Sequence, residues 1–228
     1  MTSSDSAFVR AAACCWAVTS VTTLGLIFIP RSIHVAPGIE SQATLAQNGL
    51  YLLRAWIGVL HPLIALIGAA GVLVVRLRAA FALALCGFAF FMLWAAGEGI
   101  QQSLILVALN WRWRTAFLAG DEAMRATLRP SIAGFDALSD GLFFFLLLAF
   151  IVANVMFCLA TWSGGPLLQR IIAVFFALAA GLGVLSFATR FSAGLVPAGA
   201  MNVAYPLIQP IGRLLTGVWL SRCAGERD

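Results

Sequence analysis

Long apolar runs dominate the chain, and polar side chains interrupt them at wide intervals. Runs at residues 9–29, 51–75, 80–109, 137–162, 168–189 and 199–221 are each long enough to cross ~30 Å of hydrocarbon at 1.5 Å per residue. The pattern predicts an all-α, polytopic membrane helical bundle of six transmembrane helices. It forms one domain over 1–228, with a tail at 1–8, interfacial loops at 30–50 and 110–135, and a C-terminal tail at 222–228. The first run follows Arg10 as a signal peptide would. No convincing small-x-small cleavage site follows it before Ile29-Pro30-Arg31, so it is read as a permanent helix.

Connections after the second and fourth runs are tight (Arg76-Leu77-Arg78; Ser163-Gly164-Gly165-Pro166), whereas those after the first and third are long. The long loops therefore share one membrane face. Asp121-Glu122 opens a segment that ends with Arg125, Arg129 and Pro130. That charge order suits the helix dipole and predicts a short helix lying at the interface.

Composition fixes the class, because 62% hydrophobic and 10% charged residues lie far from the soluble average. All fourteen basic residues are arginine. The absence of lysine removes Schiff-base and lysine-nucleophile chemistry. The arginines stand singly at run ends, suited to phosphate headgroups rather than to nucleic acid. Counts on the two faces are similar, and the tighter clustering at the short connections assigns those and both termini to the cytoplasm. The expected location is the inner (plasma) membrane, multi-pass. Cys14, Cys15, Cys86 and Cys158 lie inside apolar runs, and Cys223 lies near the C-terminus, without ligand spacing.

Inside the runs, polar groups converge at one depth. His61 lies ten residues from Tyr51, Glu98 eleven from Leu109 and Gln209 ten from Gly199, all roughly 15 Å below the long-loop face. Helical spacing adds Arg54 on the side of His61, Gln101 and Gln102 with Glu98, and Asp136 with Asp140 and Asn154. The last run carries Asn202, Tyr205, Gln209, Arg213 and Thr216 in one stripe, interrupted by Pro206 and Pro210. A carboxylate in lipid must face the bundle interior, carry a proton or meet a cation such as Arg213, Arg54 or His61. The expectation is a polar crevice open to the long-loop side. Its bland rival is a set of interhelical hydrogen bonds without a ligand.

Several chemistries can be weighed against this pattern. A metal on His61, Glu98 and Asp140 would want the Glu-x-x-His pairs of di-iron bundles, which are absent. Bis-histidine haem fails because His34 is in a loop, so no metal and no cofactor are expected. Asp136 and Asp140 form one aspartate pair where membrane prenyltransferases need two. Thr161-Trp162-Ser163-Gly164 departs from the serine motif of intramembrane hydrolases. The readings that survive are binding of a small or amphiphilic, lipid- or isoprenoid-like molecule in an accessory role, acid-base catalysis on a lipid-soluble substrate, and transport. In the second, Glu98 acts as acid with His61 or Asp140 as base. Arg54, Gln101, Gln102, Asp136, Asn202, Tyr205, Gln209 and Arg213 are the ligand-binding candidates. Expected partners are membrane lipids, a hydrophobic small molecule, and a second copy or a membrane-complex subunit.

Residues Phe143–Leu185 followed by Tyr205–Leu220 resemble a widespread bacterial family of small six-helix membrane proteins classed as a domain of unknown function. In that family the fourth helix ends in a turn with a proline and an arginine, here Pro166 and Arg170, and the last closes on a Trp-Leu, here Trp219-Leu220. The family often has a glutamate near the positions of Gln209 or Arg213, and an Arg-x-x-Glu-like pair where only Glu98 is clear. The resemblance implies six helices and no particular activity.

Overall fold

The computed structural model describes residues 3–162, 165–191 and 198–225, and every regular element among them is helical. The helices are α1 (Ser3–Ser32), α2 (Ile39–Ala43), α3 (Gly49–Arg76), α4 (Phe81–Ser103), α5 (Thr115–Ala119), α6 (Glu122–Trp162), α7 (Leu167–Phe191) and α8 (Ala198–Gly225). A 3-10 turn, Thr44–Gln47, follows α2, and a π-helix, Leu104–Arg114, joins α4 to α5. Six long helices pack in chain order as a closed ring, α1 on α3, α3 on α4, α4 on α6, α6 on α7, α7 on α8, and α8 back on α1.

Five helical rods are long and apolar enough to cross a membrane, namely α1, α3, the α4-to-α5 rod, α6 and α7. The expected sixth span, at 199–221, is helical and amply long, but its composition falls short of that standard. Its polar stripe is the reason. Gln209, Arg213 and Thr216 are all buried, so α8 satisfies its polar side chains inside the ring rather than presenting an all-apolar surface to lipid.

The outer surface is apolar, with Val21, Phe28, Leu63, Phe81, Leu148 and Leu214 projecting outward, as a bilayer solvent requires. The half of the ring toward the short connections is filled by Val9, Trp16, Phe91, Phe157, Trp219 and Leu220. Small residues let the helices close, since a Cβ on Gly217 would lie 2.8 Å from the Ala13 carbonyl oxygen and one on Gly68 2.9 Å from the Trp16 indole nitrogen. Ser6 Oγ donates to the Ala224 carbonyl (3.2 Å), which sets the start of α1 beside the end of α8. Ser20 Oγ donates to the Pro210 carbonyl (2.7 Å), tying α1 to the proline-bearing stretch of α8.

Arg76 does not snorkel outward. It is buried, and its Nε donates to the Ala160 carbonyl (2.8 Å) and its Nη1 to Gln169 Oε1 (3.2 Å), while Gln169 Nε2 donates to the Thr161 carbonyl (2.8 Å). These carbonyls belong to the last turn of α6, which has no intrahelical donors left. Two side chains from α3 and α7 therefore cap it.

Residues 110–135, expected as an interfacial loop with a separate short helix, are helical apart from Gly120 and Asp121. Asp121 Oδ1 accepts from Met124 N (2.9 Å) and starts α6. At 41 residues α6 is about 60 Å long, twice the hydrocarbon thickness, so its first turns rise beyond the membrane together with the π-helix and α5. A second core of Ala43, Leu109, Phe117, Ile132 and Phe135 packs the α2 segment on this protruding hairpin. The long-loop face thus carries a helical cap.

Candidate functional site

All six ring helices contribute to one interior chamber of about 270 Å3. Its polar wall is Arg54 and His61 from α3, Glu98 and Gln102 from α4, and Tyr205 and Arg213 from α8. Its apolar wall includes Leu26 and Ile27 of α1 with Phe143, Leu147 and Phe150 of α6. Above it, under the cap, a vestibule of about 480 Å3 is lined by Pro30, Gln42, Tyr51, Arg54, Arg114 and Asp136 among others. Arg54 lines both spaces, so the two adjoin at this residue.

The histidine is locked by two neighbours. Thr22 Oγ1 is 2.7 Å from His61 Nδ1, and Arg213 Nη1 is 2.8 Å from His61 Nε2. A guanidinium can only donate, so Nε2 accepts. Nδ1 then carries the proton and donates to Thr22 Oγ1, whose own hydrogen reaches the Val18 carbonyl (3.1 Å). His61 is therefore a neutral strut between α1 and α8 with its lone pair already engaged. The Arg213 guanidinium also lies over the Trp16 ring, 5.8 Å from its centroid, and the Trp94 ring meets His61 edge-on at 6.4 Å.

Glu98 Oε1 accepts from Gln102 Nε2 (2.9 Å), one turn along α4. Arg54, Arg213 and Tyr205 line the same chamber as Glu98. Gln102 fits because α3 offers Gly58 opposite, where a Cβ would lie 2.7 Å from Gln102 Oε1. Among the described residues, Arg54 Nε, Arg213 Nε, Gln102 Oε1 and Gln209 Nε2 are buried without a hydrogen-bond partner. Gln209 faces a smaller pocket of about 30 Å3, shared with Asn154 and Arg213, which is room for about one water.

No family model, curated protein or solved structure matches this chain. What the site can do rests on its own side chains.

Of the residues expected from the sequence, Arg54, His61, Glu98, Gln102, Tyr205 and Arg213 meet in the chamber. Asp136 lies higher, in the vestibule, and Gln209 in the adjoining pocket. Two expectations are corrected. Gln101 Nε2 donates to the Ser139 carbonyl (2.9 Å) and Ser139 Oγ (2.8 Å), a bond between α4 and α6 away from the chamber. Asp140 forms an ion pair with Arg190 on an open flank and does not line the chamber. The side chain of Asn202 lies outside the described residues. Among the described residues no three His, Cys, Asp or Glu side chains converge as a metal set.

Sequence reasoning overlooked Thr22, Trp94 and the vestibule arginine, Arg114. The signal for the first was present, because Thr19, Ser20, Thr22 and Thr23 crowd hydroxyls into the middle of an apolar run. Arg114 reads as an interfacial anchor but is buried, its Nη1 donating to Asn110 Oδ1 (2.9 Å) and Tyr51 Oη (3.2 Å). The π-helix turns it inward. Asn110 Nδ2 donates to the Ile105 carbonyl (2.6 Å) and Thr115 Oγ1 to the Asn110 carbonyl (2.9 Å), each five residues back, which reinforces the wide turn at its functional end.

Proposed function

We propose that this integral membrane protein is a binding or accessory protein of the bacterial inner membrane that takes a small or amphiphilic molecule into the chamber from the long-loop side. The observation that carries the reading is the pair of cavities meeting at Arg54, in which buried hydrogen-bonding atoms of Arg54, Arg213 and Gln102 lack protein partners. Polar atoms left unpaired at this depth are costly. A bound molecule would complete them. A cavity with one apolar and one polar wall suits a ligand that has both. Acid-base catalysis is less well supported, because the His61 lone pair is engaged by Arg213 and Asp140 is engaged by Arg190. Native mass spectrometry of protein purified in mild detergent tests the reading. The expected result is a retained small or amphiphilic adduct that is lost in a variant enlarging a side chain of the chamber wall, such as Ser186→Phe. A spectrum of bare protein, unchanged by added membrane lipid extract, would overturn it.

A further inference from the structure

The charges around the chamber do not cancel. Arg54 and Arg213 each bring a fixed positive charge, since guanidinium stays protonated in proteins. Among the described residues Glu98 is the single acid on the wall, and its Oε1 is already shared with Gln102. His61 adds nothing, because its bonds to Thr22 and Arg213 fix the neutral tautomer. With Glu98 ionised, one positive charge remains unbalanced inside a low-dielectric ring, where an uncompensated charge is strongly unfavourable. Among the described residues, the Nε atoms of Arg54 and Arg213 are buried without a hydrogen-bond partner.

Resting on the binding role argued above, we propose that the chamber takes the head of a monoanionic amphiphile, a carboxylate or a phosphodiester, between Arg54 and Arg213. Its chain lies against Leu26, Ile27, Phe143, Leu147 and Phe150. One negative charge restores neutrality, whereas a phosphomonoester dianion overshoots it and a neutral or cationic head leaves the arginines unmatched. Tyr205, on the same wall, offers a hydroxyl to the anion. Arg114 lines the vestibule above Arg54 and extends the cationic path outward, matched there by Asp136.

Binding to the purified full chain in non-ionic detergent tests this. The probes are a pyrene-labelled long-chain fatty acid, its methyl ester, and a pyrene-labelled lysophosphatidylglycerol. At least one anion is expected to bind about tenfold or more tightly than the ester, the ratio that one charge-assisted hydrogen bond supplies. Which anion binds identifies the source as a free acid or a phospholipid. Arg54→Gln should remove most of that preference, and Glu98→Gln should tighten the anion several-fold, because it deletes the competing carboxylate. Arg54 Nε has no hydrogen-bond partner among the described residues, and the melting temperature of each variant checks that it remains folded. An ester that binds as tightly as both anions, or two variants that shift anion affinity in the same direction, would overturn the proposal while leaving a neutral-ligand site standing. If no probe binds while purified protein retains an adduct, the anion is wrong. If neither is seen, the binding role fails as well.

Discussion

Gln101 and Gln102 show how far single residues could be read from the chain. Both fall on the face of Glu98 by the three-and-four rule, yet consecutive residues are about 100° apart on a helix. Gln102 therefore reaches the chamber and Gln101 reaches Ser139 on α6. Depth was legible because rise per residue is fixed. The partner was not, because it depends on which neighbour covers each side. The same logic yields a prediction at Gly58. Alanine there would sit 2.7 Å from Gln102 Oε1, pushing the amide off Glu98 and leaving a half-buried carboxylate with one donor fewer. Gly58→Ala is expected to lower stability by about 1–3 kcal/mol in thermal unfolding of detergent-solubilised protein. Gly99→Ala, on α4 beside Glu98 but with nothing within 4 Å of the new methyl, should be neutral or raise stability by about 0.5–1 kcal/mol through helix propensity. Equal losses in the two variants would remove the close approach as the cause.

Periodicity and length fixed the helices at the scale of elements, and the expected runs differ from α1, α3, α6, α7 and α8 chiefly at their ends. The third run was cut short. Residues 110–135 looked like a loop because Trp111-Arg112-Trp113-Arg114 and Asp121-Glu122 are polar. A helix that leaves the membrane into a protein cap needs no lipid-facing stripe, and its apolar positions face the small core around Phe117 and Phe135. The last run falls short of an apolar span by composition for the converse reason, since its polar positions are internal, although α8 packs along α1 and α7 and closes the ring. Helix ends reveal less in sequence, because caps can come from remote residues. Arg76 and Gln169, 93 positions apart, jointly close the end of α6. Arg76→Met should strand the Ala160 carbonyl and cost about 1–3 kcal/mol, measured by the urea or thermal midpoint. Arg78→Met, at an exposed neighbouring position, should stay within about 0.5 kcal/mol. A matching loss at Arg78 would mean that charge at this face, not capping, sustains α6.

Orientation belongs to the whole molecule, and the fold changes the arginine count on which it depends. By sequence the two faces carry similar numbers. In the fold, Arg54 lines the chamber and Arg114 is buried, while Arg129 pairs with Glu40 (2.7 Å) and Arg190 with Asp140 on the cap side. Arg54 and Arg114 are thus turned into the protein, and Arg129 and Arg190 are exposed but held in ion pairs with acids. On the face of the short connections Arg10, Arg78, Arg170 and Arg222 remain exposed at helix ends, where the positive-inside tendency acts. The bond from Ser6 to Ala224 sets both ends of the bundle on that same face, so the cap and vestibule are expected to face away from the cytoplasm. The lack of lysine makes this directly measurable, because one introduced lysine is the sole side-chain amine. Arg112→Lys, exposed on the cap, and Arg78→Lys both preserve charge and leave the topology signal intact. In sealed right-side-out vesicles a membrane-impermeant amine reagent should modify the Arg112→Lys variant at once and the Arg78→Lys variant only after permeabilisation. The reverse pattern would turn the vestibule toward the cytoplasm, and a ligand reaching Arg54 by that route would have to come from inside the cell.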